Sequence, residues 1–218
     1  MRPDPILLAF DTSAAHCAAA VICGDQVLAA RVEEMGRGQA ERLMPLLAEI
    51  MAEAKIEWRD LSLIGVGVGP GNFTGIRISV AAARGLALGL GIRAVGVTSF
   101  EALSDGLTEN VIASVSAPQD RVYISVPKEG AAPLLCDLES LPSVPAPSVK
   151  CIVGARAEEI AKHYSAHVVQ PIWPLAVGIA RQARARHGQT QHQRARDGDS
   201  RRSLAGAAQA QRSAGPAR

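Results

Sequence analysis

Residues 6–11, ILLAFD, are apolar up to a single acid, the pattern of a buried strand that ends in a carboxylate. "CAAAVIC" (17–23) and "QVLAARVE" (26–33) follow on either side of Gly24-Asp25, a two-residue hairpin signal. An antiparallel meander is therefore predicted to open the chain. Ala40, Leu43, Leu47, Ile50 and Ala54 then recur at helical spacing, which predicts a helix over about 39–54. Pro45 lies inside it and either kinks it or marks where its regular part starts. "LSLIGVGVG" (61–69) reads as a strand. Residues 74–90 read as a helix with Ile76, Val80, Ala83, Ala87 and Leu90 on one stripe, and "RAVGV" (93–97) as another strand. Thr98-Ser99-Phe100-Glu101 has the form of a capping box, so a third helix is expected there.

After Gly106 the pattern restarts. "NVIASVS" (110–116) and "RVYISVP" (121–127) read as strands joined by residues 117–120, and the Pro- and Ser-rich stretch 127–148 reads as a loop. A strand (149–154), a helix (155–165), a short strand or exit segment (167–174) and a helix from Leu175 to about Arg186 complete the series. From 187 on there is one leucine and no other large apolar residue, so no face can be buried and disorder is expected. The division that follows is 1–106, 107–186 and a basic tail, 187–218.

Composition sharpens this picture. Hydrophobic residues make up 48% and aromatics 3%, so the core must be built from Ala, Val, Leu and Ile, which fits an α/β protein better than a β-sandwich. Charge is uneven: residues 181–218 carry nine arginines and two aspartates, whereas 1–180 are net acidic. The cysteines, at 17, 23, 136 and 151, form no CxxC pair and read as buried or idle thiols of a reducing cytosol. The N-terminus lacks the apolar core and cleavage site of a signal peptide. The most apolar stretch, 78–97, is broken by Arg84 and Arg93, so no membrane span is expected. His163 and His167 are four apart, but no third ligand completes a site, and neither a metal nor a cofactor is predicted.

The stretch "GVGVGPGNFTGIRIS" (65–79) is the most specific feature. It matches neither the Walker pattern nor GxGxxG in any register. Read as a strand, it has valines on one face and bare glycine backbone on the other, so a helix or a ligand must approach closely. Pro70-Gly71 is a turn pair, and Asn72 or Thr74 can cap the helix that follows. Such a turn presents amides to an anion, or it merely allows tight packing. With Asp11, Thr12 and Ser13 at the end of the first strand, the candidate phosphate-proximal set is Asp11, Thr12, Ser13, Gly69, Pro70, Gly71, Asn72, Thr74 and Gly75. Gly75, Ser79, Ala82, Ala83, Gly85 and Gly89 make the next helix unusually small-sided, which suits close helix packing; Arg77 and Arg84 share one of its faces.

Together, "ILLAFDTS", "ERLMPLL", "GVGVGPGNFTGIRIS" and "AAARGLALGLGIRAVGVTSFEAL" resemble the TsaB (YeaZ-like) family. That family is the dimerization subunit of the bacterial machinery that makes N6-threonylcarbamoyladenosine in tRNAs reading ANN codons. The resemblance is strong over 1–106 and weaker beyond. It implies an actin/Hsp70-like (ASKHA) fold of two ribonuclease-H-like subdomains, the second small and incomplete. It also implies a cytoplasmic, non-catalytic scaffold. The catalytic relative, TsaD, has a metal-binding His-x-x-x-His where this chain has Ser99 and Leu103. Implied partners are a TsaD-like subunit in a heterodimer, a TsaE-like ATPase through the complex, and tRNA indirectly, with a homodimer as an alternative pairing. The implied contact residues are Leu43, Leu47, Met51, Ile76, Arg77, Val80, Ala83 and Arg84. Two departures stand out: Ser116-Ala117-Pro118 replaces the family's Asp-Ala-Arg, and its Tyr-Leu-Arg segment gives way to the Arg-rich tail. The tail reads either as a basic arm for tRNA phosphates or as the product of a shifted reading frame. An ATP-binding phosphotransferase of the same fold class is the competing function; a protease lacks any nucleophile and base pair.

Overall fold

The computed structural model describes residues 4–107, 110–125, 132–143 and 149–189. Met1–Arg184 forms one compact unit; of a second, Ala185–Arg218, residues 185–189 are described and are helical. The expectations for the tail fall, from 190 on, outside the described residues.

β1 (Ile6–Asp11), β2 (His16–Cys23) and β3 (Gln26–Glu34) form the predicted meander, turning at Gly24 in the left-handed region. α1 (Gln39–Glu53) follows and runs through Pro45. β4 (Leu63–Gly67) pairs parallel with β1, and β5 (Arg93–Val97) pairs parallel with β4 after α2 (Phe73–Leu90). The sheet order is β3-β2-β1-β4-β5. α3 (Ser99–Leu103) opens with the predicted capping box, in which Thr98 and Glu101 cap each other.

A second five-stranded sheet, order β10-β9-β6-β7-β8, is built from β6 (Val111–Ser116), β7 (Val122–Ile124), β8 (Leu134–Cys136), β9 (Cys151–Gly154) and β10 (His167–Val168). α4 (Ala157–Tyr164) packs Ile160 and Ala161 against it. β8 lies inside the stretch expected to be a loop. Three residues next to Pro133 carry no alternation to read, and their pairing with β7 supplies the order. The rest of that stretch is partly outside the described residues.

Residues 175–184 form α5. Their position corrects the sequence-based division. Ile179, Ala180 and Ala183 pack with Leu7, Ala9, Ile22 and Leu63 of the first sheet, and Ala176 and Val177 with Ala18 and Ala20 of β2. The helix grouped by sequence with the second subdomain thus completes the first. The sheet is a middle layer: α1 and α2 cover the face carrying Leu8, Phe10, Ile64 and Val66, and α5 covers the other. α3 lies between the two sheets, with Ala102 in the core of the first and Phe100 packed on Ala113 and Val153 of the second.

Charged groups pin α5 at its surface. Arg181 Nε (2.6 Å) and Gln182 Nε2 (2.6 Å) donate to the two carboxylate oxygens of Asp105, and Arg181 lies over the Trp173 ring at 4.7 Å. Arg184 donates to Asp25, whose carboxyl is held below its usual range by that hydrogen bond.

Candidate functional site

The bare backbone of β4 has two occupants. A Cβ on Gly65 would lie 3.2 Å from Ile179 Cγ2 and 3.3 Å from Ala183 Cβ, so α5 presses directly on this strand. A Cβ on Gly67 would lie 1.8 Å from Asp11 Oδ2, so that carboxylate fills the next gap. Close approach of a helix is what glycine in a strand interior allows.

The turn after β1 and the loop before α2 are locked together. Thr12 Oγ1 donates to the Gly75 carbonyl at 2.6 Å, and Asn72 N donates to the Ser13 carbonyl at 2.6 Å. Asn72 Oδ1 accepts from Gly75 N at 3.0 Å as the N-cap of α2. Side chains at 71 or 75 have no room: a Cβ would fall 2.2 Å from the Ser13 carbonyl oxygen or 1.9 Å from that of Thr12. Ser99 N and Oγ donate to the carbonyls of Gly69 and Pro70. Of the candidate phosphate-proximal set, the fold therefore brings Asp11, Thr12, Ser13, Gly71, Asn72 and Gly75 together, ties Gly69 and Pro70 to the start of α3, and leaves Thr74 exposed. The hydroxyl protons of Thr12 and Ser13 point into protein, at Gly75 O and Asp11 Oδ1.

His16 joins this group, although the sequence did not single it out. Asp11 is fully buried, and its Oδ1 accepts from Ser13 N (2.9 Å), Ser13 Oγ (2.8 Å) and His16 Nε2 (2.9 Å). Asp11 Oδ2 has no hydrogen-bond partner among the described residues. The usable signal was the hairpin. Asp11 pairs with Ala18, which places the first residue of β2 at the same end of the sheet.

Beside this turn lies a cavity of about 200 Å³, lined by Ser13, His16, Ser99, Leu103, Ser114 and Leu175 among others. It opens between the two sheets. Ser99 and Leu103 both face it. Among the described residues no three His, Cys, Asp or Glu side chains gather as a metal site. The four cysteines are free thiols, and burial is the main force pushing those of Cys17 and Cys136 up.

The predicted contact residues divide by the face they occupy. Leu43, Leu47, Met51 and Ala83 are buried in the core between α1, α2 and the sheet, which corrects their assignment to a partner surface. Their stripe is apolar because it faces this chain's own strands. Ile76 and Val80 are half-buried, and Arg77 and Arg84 are exposed. The open face of α2 carries Phe73 (65% exposed), Arg77, Ala81, Arg84 and Leu88 (85% exposed), with the Arg77 guanidinium 4.0 Å over the Phe73 ring. Gly85 and Gly89 lie on the same side, and a Cβ on either would meet nothing within 4 Å among the described residues. α2 has the length and hydropathy of a membrane-crossing helix, but its inner face, Gly75, Ser79 and Ala83, packs on the protein.

Two mixed sheets with helices packed on their faces define an α/β protein of the actin/Hsp70-like class. Its fold is similar to YeaZ from Pseudomonas aeruginosa (TM-score 0.68, 22% identity, 86% of this chain and 94% of that one). It is also similar to the ethanolamine utilization protein EutJ from Carboxydothermus hydrogenoformans (TM-score 0.53, 15% identity, 83% and 90%). In sequence, residues 31–131 match the family model of TsaD, tRNA N6-adenosine threonylcarbamoyltransferase. The chain is 32% identical over 123 residues to the tRNA threonylcarbamoyladenosine biosynthesis protein TsaB of Buchnera aphidicola subsp. Schizaphis graminum, covering 54% of this chain and 58% of that protein. It is 30% identical over 122 residues to TsaB of Escherichia coli, covering 54% and 52%. The chain is thus similar to TsaB proteins in sequence over about half of its length and to YeaZ in fold. It spans about half the length of the curated relatives it matches.

Proposed function

We propose that this chain serves the formation of N6-threonylcarbamoyladenosine in tRNAs reading ANN codons, as a non-catalytic subunit docked on a TsaD-type threonylcarbamoyltransferase. The observation that carries the reading is the open apolar face of α2, with Phe73 and Leu88 in solvent, on a chain whose relatives are named for this modification. Gly85 and Gly89 support it. Glycine in a helix interior costs about 1 kcal/mol relative to alanine. Among the described residues nothing occupies the space beside them, so the small residues suit the close approach of another helix. The docking surface is then Phe73, Ile76, Arg77, Val80, Arg84 and Leu88. A TsaE-like ATPase and tRNA would join through the complex, and a second copy of the chain would compete for the same face. A supporting role rather than catalysis agrees with Ser99 and Leu103 in place of two imidazoles.

Size-exclusion chromatography with light scattering tests this on the chain mixed with the TsaD-type protein of the same cell. A 1:1 complex is expected. Burying a leucine side chain contributes about 1.5–3 kcal/mol, so Leu88→Asp should weaken the complex at least about tenfold. The melting midpoint of the isolated chain should not move, because Leu88 is exposed. No complex with the unaltered chain, or equal pairing by the variant, overturns the docking face. ATP turnover by the purified chain that is lost in Asp11→Ala overturns the non-catalytic role.

A further inference from the structure

We propose that the outer edge of β3 is a self-association surface, on which a second copy of this chain pairs antiparallel about a two-fold axis at Val32. The contact is separate from any pairing through α2 and independent of the role in tRNA modification.

β3 is an end strand of the first sheet and pairs with β2 on one side only. Its register with β2 skips Leu28, a bulge near the Gly24 turn, and is continuous from Ala29 to Glu34. Met35 N donates to the Ala15 carbonyl at 2.9 Å, which fixes the phase of the ladder. Peptide groups in an antiparallel strand turn to opposite sides at alternate residues. Those of Arg31 and Glu33 therefore face β2, and those of Ala30, Val32 and Glu34 face outward. Among the described residues no backbone group hydrogen-bonds to these outward N–H and C=O groups. An open row of this kind templates another strand, and β3 carries neither the proline nor the lysine that blunts many edges.

The side chains select the occupant. In an antiparallel pair, opposed residues both turn their peptide groups toward each other or both turn them away, so the two-fold axis of a self-pair lies on a residue. An axis at Arg31, Glu33 or Glu34 sets that charge directly against its own copy, which is destabilising. An axis at Ala30 sets the bulged Leu28 opposite Val32 and breaks the ladder. An axis at Val32 avoids both faults. It sets Val32 against Val32, Ala30 against Glu34 and, twice, Arg31 against Glu33 of the second copy. The Val32 and Ala30–Glu34 pairs are then the hydrogen-bonded ones. Arg31–Glu33 is the non-hydrogen-bonded pair, where side chains come closest.

Both faces of the strand are open to this contact. On one, Val32 is 46% exposed and Ala30 and Glu34 are exposed. On the other, Arg31 donates to Glu49 (2.8 Å) and Glu53 (2.7 Å), and Glu33 accepts from Arg42 (2.6 Å), yet Arg31 and Glu33 both stay partly exposed. This cluster sets the carboxylates of Glu33, Glu49 and Glu53 against the guanidiniums of Arg31 and Arg42, so an arginine arriving from a second copy meets an excess of acid.

A contact along one strand edge is small, so a reversible dimer with a Kd of about 10–100 μM is expected, read by sedimentation equilibrium of the full-length chain at concentrations on both sides of that range. Val32→Lys sets an ammonium against its own copy and should weaken dimerisation at least about tenfold, with the melting midpoint of the monomer little changed. Oxidation reads the register. Val32→Cys should cross-link to its own copy, because a hydrogen-bonded pair brings the Cα atoms to about 5.5 Å. Ala30→Cys should not, because the two copies of residue 30 then lie about 14 Å apart along the strands. The unaltered chain is the control for oxidation at the partly exposed Cys23. If Val32→Lys does not fold, the two cysteine variants decide. A monomer at every concentration, a dimer that Val32→Lys leaves intact, or equal cross-linking through Ala30→Cys would each overturn the assignment.

Discussion

A chain ended after Pro174 is expected to lose cooperative folding of its first sheet, although every strand of that sheet lies before residue 98. The reason is α5. Ile179, Val177 and three alanines (176, 180 and 183) are fully or almost fully buried against Leu7, Ala9, Ala18, Ala20, Ile22 and Leu63. Fully burying one large aliphatic side chain contributes about 1.5–3 kcal/mol. Removing two such residues and three alanines, and exposing the sheet face beneath them, reaches the 5–15 kcal/mol by which a whole domain is stable. Asp105 would also lose both its Arg181 and Gln182 partners. Gly178 shows how closely the parts meet, since a Cβ there would fall 2.4 Å from the Ala102 carbonyl oxygen. Far-UV circular dichroism during heating, beside the full chain, is the measurement. A single sharp transition at an unchanged midpoint would show that α1 and α2 alone hold the sheet.

This dependence was not legible in the sequence. The elements themselves were: alternation, the Gly24-Asp25 turn, the Thr98–Glu101 capping box and helical spacing each act within a few residues, and strands, turns and helices appeared where they predicted. Which face a helix meets is decided across more than a hundred residues, and no local pattern encodes it. The glycines of β4 did announce that something must press on the strand, and α5 and Asp11 are what press there. Periodicity placed Leu43, Leu47 and Ile50 of the buried α1 stripe but included the exposed Ala40 and left out Leu46; an apolar stripe also reads the same whether it meets its own sheet or a partner. Leu43, Leu47, Met51 and Ala83, which the family resemblance implied as contact residues, are core. His16 escaped notice because its partnership with Asp11 depends on strand register rather than on a motif.

Within α2, glycine-to-alanine substitutions are expected to act in opposite directions at its two ends. Gly75→Ala places a Cβ 1.9 Å from the Thr12 carbonyl oxygen, a backbone atom that cannot swing away, and disturbs the Thr12 hydrogen bond to Gly75 O. A clash of that kind, with the lost bond, should cost about 3 kcal/mol or more, which for a protein of this size lowers the melting midpoint by about 10 °C. Gly85→Ala and Gly89→Ala meet open space, so each should recover the helix-propensity difference of about 0.8–1 kcal/mol and raise the midpoint by a few degrees. Thermal melts of the three variants beside the unaltered chain separate these outcomes. On the proposed docking of α2 against a TsaD-type protein, the same two stabilising substitutions should weaken pairing, because a methyl group then stands on the docking face. Opposite signs for stability and for pairing would mark Gly85 and Gly89 as kept for an approaching surface. A lowered midpoint for Gly85→Ala in the isolated chain would mean instead that this face is already covered by a second copy.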